Sequence, residues 1–586
     1  MRIRSCLGRL SGLLRALGLL LLLVLVVALY LYANRTAVRL TLAHWTGEED
    51  LYEQLKGTLA LAYLSLTQAA PQTDSYVPIA HAGVNPYGVN TFLEQEVEAA
   101  KVERSLSLIA DAGFHWIRQE FPWEDIEIAG KGDFWDPKWN VSTWAKYDRI
   151  VDLAGKYGLE IIARLDHPPA WTRKIGNAPG WTMGPPDNYE DFGDFVYAVV
   201  SRYRGRVRYY QIWNEPNISP EWGDQPADPA GYVKLLQVAY RRAKEANPQC
   251  VILSAGLAQN IEETPPEFGP RNMSDVLYLE KMYEAGAKGY FDIMGTMVYG
   301  LWTGPYDRRA SRDRANFSRA QLIREVMVRH GDGNKAIWAT EVGWNAVPEG
   351  FPAPASYGRV SESQQAVYAV EAYQRISREW PWMGVMNYWF FRRPSDAEVN
   401  QTWYYFRMME PDFRPLPVYG ALAWQAKQTP ALGIGYHQED HWALHYEGPW
   451  QHIGDEGAVL GAYAQGEKDA ELDFYFIGTD LALVLRDARQ VDDLEIVVDG
   501  LKARPRLAWT APHSGTPAVT VAQGLKDGQH RARIRVSRNA VALDGLVVWR
   551  RAPAYWAWAV VGLGLVVVGA SWSALARRRK GQDQHE

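Results

Sequence analysis

Cysteine is nearly absent: Cys6 and Cys250 are the only two in 586 residues. Cys6 precedes an apolar run and Cys250 lies mid-chain, so the pair is expected on opposite sides of a membrane, without a disulfide. Neither has a CxxC neighbour or a histidine cluster, so no metal site is expected, and no cofactor. Positive charge is also short. The chain has 62 basic against 68 acidic residues, net −6, which leaves nothing to neutralise a row of phosphates and excludes nucleic acid as a partner. What is plentiful is aromatic: 25 Trp and 32 Tyr. Such flat faces stack on sugar rings, but they also fill cores, and composition does not choose between the two.

Long apolar runs occur only at the ends. Residues 16–33 reach the length of a spanning helix. Arg2, Arg4, Arg9 and Arg15 precede them and place residues 1–15 as a cytoplasmic tail. A cleaved signal peptide is the competing reading, but no small-x-small site follows the run. Residues 554–576 form a second expected span, with Trp556 and Trp558 at its outer edge. Arg577, Arg578, Arg579 and Lys580 follow, so 577–586 reads as a second cytoplasmic tail. Residues 34–553 are thereby expected on the extracytoplasmic side of the cell membrane.

Between these runs the texture changes twice. Residues 34–78 read as a stalk or linker, with one amphipathic helix over 48–68. From 79 to 428, short apolar strands alternate with helices: 82–85, 116–118, 159–165, 207–213, 251–255, 291–298, 336–340 and 384–390. Eight such strands predict a (β/α)₈ barrel. After the fourth strand, Asp228 is placed to cap a helix starting at Pro229, with Tyr232, Leu235, Leu236, Ala239 and Ala243 on one apolar stripe. From 429 to 553 a period of two takes over, as in Leu472, Phe474 and Phe476, and predicts an antiparallel β-sandwich, either carbohydrate-binding or a buttress.

In a (β/α)₈ enzyme the reactive groups sit at the C-terminal strand ends. The fourth strand ends Gln211-Ile212-Trp213-Asn214-Glu215-Pro216-Asn217, and the seventh ends Trp338-Ala339-Thr340-Glu341-Val342-Gly343-Trp344. These two strands face each other across a barrel mouth, and two facing carboxyls are what glycosidic cleavage with retention requires.

WNEPN, a later strand ending T-E-V-G-W, the stretch from Ile117 to Glu127, and Leu165-Asp166-His167-Pro168-Pro169-Ala170-Trp171 together resemble clan A glycoside hydrolases, the cellulase-like barrels. They are most similar to families 39 and 5. The resemblance implies Glu215 as acid/base and Glu341 as nucleophile. It gives Asn214 the sugar 2-hydroxyl and Tyr299 the support of the nucleophile; Glu341 must stay ionised, and Arg118, at the tip of the second strand, is positioned to be the nearby cation. Trp389 is expected beneath the sugar, and His167, Trp171, Trp123 and Trp344 are expected to contact substrate. One departure stands out: family members commonly carry histidine two residues before that tyrosine, and here Met297 stands there.

The expected function is therefore a membrane-anchored retaining glycoside hydrolase acting on a β-linked cell-surface or extracellular oligo- or polysaccharide. Two alternatives remain at this stage: a transglycosylase or trimming enzyme in exopolysaccharide production, and a non-catalytic glycan-binding protein on a degenerate barrel.

Overall fold

The computed structural model describes residues 32–503, 505–510 and 517–551, with Gly18, Leu22, Leu25, Val26, Leu29 and Tyr30. The expected span over 554–576 lies outside the described residues, as does much of 16–33. Among the described residues, no helix is long and apolar enough to cross a membrane. The chain divides into two compact units, one of residues 1–430 and 440–443, the other of 431–439 and 444–586.

Eight parallel strands form the first unit: β1 (Tyr87–Thr91), β2 (Trp116–Pro122), β3 (Glu160–Asp166), β4 (Tyr209–Ile212), β5 (Val251–Leu253), β6 (Met294–Met297), β7 (Ile337–Val342) and β8 (Met383–Tyr388). They run β5-β4-β3-β2-β1-β8-β7-β6. Parallel bridges Leu253–Ile293 and Leu257–Thr296 join β5 to β6, which closes the cylinder. The (β/α)₈ expectation thus matches the observed architecture.

The first strand was expected at 82–85 and lies instead at Tyr87–Thr91. The side chain of Asn85 accepts from the backbone N–H of Tyr87 at 3.0 Å, turning the chain ahead of the strand. The sequence Tyr-Gly-Val-Asn-Thr does not read as an apolar run, yet all five residues are buried. Gly88 is there because a Cβ would lie 2.4 Å from Oδ1 of Asn387 on the paired strand β8. Asn90 is there for the polar network described below.

Inside the cylinder the side chains form layers. Trp116, Tyr209 and Trp338 come from β2, β4 and β7, which are not neighbours, and their rings meet at 5.0 Å between centroids. This aromatic layer fills the N-terminal end, and strand alternation then brings Arg118 and Gln211 inward above it. Strict alternation would turn Glu341 outward, since Trp338 faces in. A register irregularity corrects this: Thr296 pairs with Ala339, but the next residue, Met297, pairs with Glu341. The extra residue on β7 re-aims the carboxylate, as bulges do.

Helices cover the cylinder. Pro229–Ala246 follows β4, with Asp228 accepting from the N–H of Gly231 at 2.8 Å, and its buried face includes Tyr232, Leu235, Leu236, Ala239 and Ala243. Burying each leucine contributes about 1.5–3 kcal/mol. Glu362–Glu379 begins with a capping box formed by Ser361 and Gln364. Residues 34–78 do not stand free as a stalk. They carry helices Arg35–Thr46 and Leu51–Thr67, and their connection is pinned to the barrel. Arg309 donates to the carbonyl of Thr46 at 2.8 Å and to Glu48 at 2.7 Å, and the N–H of Gly304 donates to the carbonyl of Gly47 at 2.8 Å.

The second unit holds two largely antiparallel sheets. Strand Glu471–Gly478 pairs with Gly528–Val536 over eight residues, burying Leu472, Phe474 and Phe476 against Ala532, Ile534 and Val536. Strand Asp480–Leu485 pairs with Val541–Trp549 and Pro517–Ala522 in the other sheet.

Gly88→Ala should lower stability by about 1–3 kcal/mol through overpacking against Asn387. A chemical denaturation series on the full chain checks this; an unchanged midpoint would mean that β8 yields freely at this contact.

Candidate active site

Arg118 lies in the barrel interior and is 2% exposed. Its guanidinium is used on every side. Nε donates to Oε1 of Gln211 at 2.7 Å, Nη1 to Oδ1 of Asn90 at 2.7 Å, and Nη2 to Oδ1 of Asn214 at 2.8 Å. Nη1 also donates to Oε1 of Glu341 at 3.0 Å. The hydroxyl of Tyr299 donates to the other Glu341 oxygen at 2.6 Å. One oxygen of Glu341 thus faces a cation and the other a phenol, and strands β1, β2, β4 and β7 are tied together through one charge. Charge-assisted bonds of this kind are the strong ones.

Glu215 has the opposite surroundings. Burial pushes its carboxyl well above the usual range, the negative charges of Glu341 and Glu221 push it further, and the positive charges of Arg118 and Arg164 do not reverse this. A carboxyl so placed keeps its proton where an ordinary one has lost it. The backbone is specialised here too: φ is +71° at Trp213 and +43° at Glu215, a region that costs non-glycine residues of order 1–3 kcal/mol each. The turn is held by the N–H of Glu215 donating to the carbonyl of Gly256 at 2.9 Å, and by the indole N–H of Trp213 donating to the carbonyl of Glu221 at 2.9 Å. Gly256 admits no side chain, since a Cβ would lie 2.2 Å from Oγ1 of Thr340.

Met297 is buried in the same packing. Its sulfur accepts from the Thr340 hydroxyl at 3.3 Å, and its methyl lies 3.1 Å from where a Gly256 Cβ would stand. It supports the bulge from behind and offers no hydrogen-bond donor.

Both glutamates open onto one cavity of about 800 Å³, together with Asn214, Tyr299, His167 and Trp389. On one wall Arg164 makes ion pairs with Glu120 and, at 2.9 Å, with Asp166; His167 also pairs with both carboxylates. Burial works against a charged His167, but Glu120 and Asp166 overcome it and hold the imidazole protonated well above its ordinary range. Glu120, Asp166 and His167 bring ligand atoms within 4.8 Å of one another, a possible metal set. Arg164 already sits on both carboxylates, and its positive charge opposes a second cation there.

The sequence-expected residues divide. Glu215, Glu341, Asn214, Tyr299, His167 and Trp389 meet at the cavity, with Arg118 beneath them. Trp123, Trp171 and Trp344 were expected to contact substrate and do not line it. Trp123 is fully buried, stacks on Phe195 at 5.3 Å and donates to Glu127. Trp171 packs edge-on against Trp123 and donates to the Glu127 carbonyl at 2.9 Å. Trp344 is fully buried, with its N–H on the Thr303 carbonyl at 2.7 Å. Their indoles satisfy core partners. Glu94, Glu120, Arg164, Glu221, Tyr357 and Trp403 line the cavity without having been singled out. A signal existed for Glu120 and Arg164, which stand inward by alternation from Arg118 and beside Asp166. None existed for Glu221, which lies in a loop.

No family model matches the chain. It is 31% identical over 119 residues to a 6-phospho-beta-glucosidase of Dickeya chrysanthemi, a match covering 20% of this chain and 24% of that protein. The chain thus spans about a quarter of that curated relative. Among solved structures it is similar to a family 39 glycoside hydrolase from Bacteroides cellulosilyticus WH2, with 18% identity, 79% and 83% of the two chains covered, and a TM-score of 0.45. It is also similar to GH5_18 from Streptomyces cattleya, with 15% identity, 62% and 83% covered, and a TM-score of 0.44. These similar proteins are glycosidases.

Because Glu221 helps to hold the Glu215 proton, Glu221→Gln should move Glu215 ionisation to lower pH. Glu215 would then be protonated below a smaller limit and charged above it. Carboxyl-resolved NMR or infrared titration of both proteins checks the sign; an upward shift or none would contradict the assigned neighbours.

Proposed function

We propose that this chain is a retaining glycoside hydrolase in which Glu341 is the nucleophile and Glu215 the acid/base. The observation that carries the reading is the contrast inside one cavity: Glu341 is held by a buried guanidinium and a phenol, while Glu215 has surroundings that keep its proton. Two carboxyls pushed to opposite roles by their environments are the signature of this chemistry.

In the first step the Glu341 carboxylate attacks the anomeric carbon, the glycosidic C–O bond breaks, and Glu215 gives its proton to the departing oxygen. A glycosyl ester on Glu341 results. In the second step Glu215, now ionised, takes a proton from water as the water oxygen bonds to the anomeric carbon. The ester bond breaks, returning Glu341 as a carboxylate and Glu215 as an acid. As the ester forms, Glu341 loses its charge, and Arg118 remains bonded to Gln211, Asn90 and Asn214, which keeps the guanidinium fixed for the return. Asn214 opens onto the cavity with its amide N–H₂ free of Arg118, since only its oxygen is used there. That amide is our candidate donor to a sugar hydroxyl, and Trp389 is a candidate stacking surface.

The substrate is a β-linked cell-surface or extracellular oligo- or polysaccharide in this reading. The apolar runs 16–33 and 554–576, each with arginines on its outer flank in sequence, support a location at the membrane with both units on the extracytoplasmic side.

Glu341→Ala should reduce turnover of an aryl β-glycoside by on the order of 10⁴-fold or more, and an activated 2-fluoro glycoside should label Glu341 in the unaltered protein. Peptide mass mapping reads the label. A stable adduct on any other residue would overturn the assignment of the nucleophile.

A further inference from the structure

Helix Leu51–Thr67 is apolar on two faces. On the inner face Gln54 and Gly57 are buried, and Leu61 and Leu64 are half-buried. A Cβ at Gly57 would lie 2.9 Å from Cγ2 of Thr46 and 3.1 Å from Nη1 of Arg309, so glycine lets the helix rest this close to its neighbours. On the outer face stand Tyr52, Leu55, Leu59, Tyr63 and Leu66, between 52% and 88% exposed. At 3.6 residues per turn these positions fall within about 80° of one another and make one stripe along the helix. The charged residues of the helix, Glu53 and Lys56, lie to one side of the stripe and pair with each other at 2.9 Å. A row of large apolar side chains left open on a folded surface marks a place where something else docks.

Reach, composition and length say what covers the stripe. The apolar run 16–33 stands just ahead of helix Arg35–Thr46, which is about 18 Å long. Its last residue, Thr46, packs against Gly57 at the middle of the striped helix. The centre of the stripe therefore stands within about 25 Å of the end of the run, whichever way the barrel points. The composition suits a lipid boundary. Tyrosines flank Leu55 and Leu59, and tyrosine favours the level where headgroups meet acyl chains. No charge interrupts the stripe, which is the kind of face that a helix lying in the plane of a membrane buries. With 17 residues and an ion pair near its start, the helix is suited to lie along a bilayer and not to cross one. Its entry is fixed to the barrel by Arg309 on Thr46 and Glu48, and by the Tyr368 hydroxyl, which donates to Glu49 at 2.9 Å.

We propose that helix Leu51–Thr67 lies in the outer headgroup layer of the bilayer, with Tyr52, Leu55, Leu59, Tyr63 and Leu66 toward the acyl chains, and seats the barrel on the membrane surface. The inference rests on the membrane location proposed above and adds a second, in-plane contact to it. Because the helix is pinned to the barrel, whatever seats the helix also sets the height and orientation of the cavity above the lipid. A second copy of the chain is the other apolar partner that such a stripe accepts, and the test separates the two.

The full chain carrying Cys6→Ser with Leu59→Cys or Tyr63→Cys is labelled with a nitrobenzoxadiazole dye and reconstituted into vesicles of phosphatidylcholine and phosphatidylglycerol. Cys250 is buried and stays unlabelled. Both dyes should emit blue-shifted light, and nitroxides placed high on the lipid acyl chains should quench it. Adding Leu55→Glu together with Leu59→Glu to the chain labelled at position 63 should return the emission to that of water and remove the quenching. Both replaced side chains are exposed, so circular dichroism should stay unchanged. Water-like emission from both positions in the otherwise unaltered stripe overturns the proposal. So does a blue shift that lipid nitroxides leave untouched and that disappears when labelled chain is diluted with unlabelled chain, which puts a second copy on the stripe. Extraction of the unaltered chain by alkaline carbonate is scored separately. It would remove the reading of residues 16–33 and 554–576 as spans, while quenching still reports on the helix.

Discussion

The buried guanidinium of Arg118 is the constraint on which the site depends. A cation inside a barrel is tolerated only when its hydrogens are answered and its charge is opposed. Here Asn90, Gln211 and Asn214 answer the hydrogens and Glu341 opposes the charge. Those four partners come from β1, β4, the residues just beyond β4, and β7. The charge therefore fixes the relative placement of strands on opposite sides of the cylinder, and the aromatic layer of Trp116, Tyr209 and Trp338 below it fills the space that polar groups would otherwise leave wet. The same interaction that stabilises the interior holds the Glu341 carboxylate in place.

That constraint also explains why the second carboxyl differs from the first. Arg118 is hydrogen-bonded to Glu341 and three amides and none of its bonds goes to Glu215, whose carboxyl feels the negative charges of Glu341 and Glu221 more than the charge of Arg118. The left-handed backbone at Trp213 and Glu215 and the absence of a side chain at Gly256 fix Glu215 on this side of the cavity. Local backbone strain and a retained proton coincide at one residue, and the strain is offset by packing elsewhere in the barrel.

The barrel was legible because seven of its eight strands are short apolar runs between amphipathic helices. The exception, Tyr87–Thr91, is built for Asn387 and Arg118 and not for burial of aliphatic groups, so hydrophobicity pointed a few residues too early. Glu215, Glu341, Arg118, Asn214 and Tyr299 were legible because strand ends in such a barrel converge, and that rule needs no side-chain detail. The tryptophans show where it stops. Trp123, Trp171 and Trp344 sit near strand ends in sequence, but whether an indole faces a cavity or a neighbouring helix depends on packing partners such as Phe195, Glu127 and Thr303, which no local pattern reveals. The bulge that turns Glu341 inward was equally invisible, because a one-residue shift in pairing leaves no mark on composition.

Met297 ties these points together. A histidine at this position would add a hydrogen-bond donor near Glu341. The methionine instead fills the space behind Thr340 and Gly256, where the bulge forms. Glu341 then has its two donors from Arg118 and Tyr299, one per oxygen, and that set already holds both oxygens. Met297 therefore serves packing, and the hydrogen bonding of the carboxylate is carried by Arg118 and Tyr299.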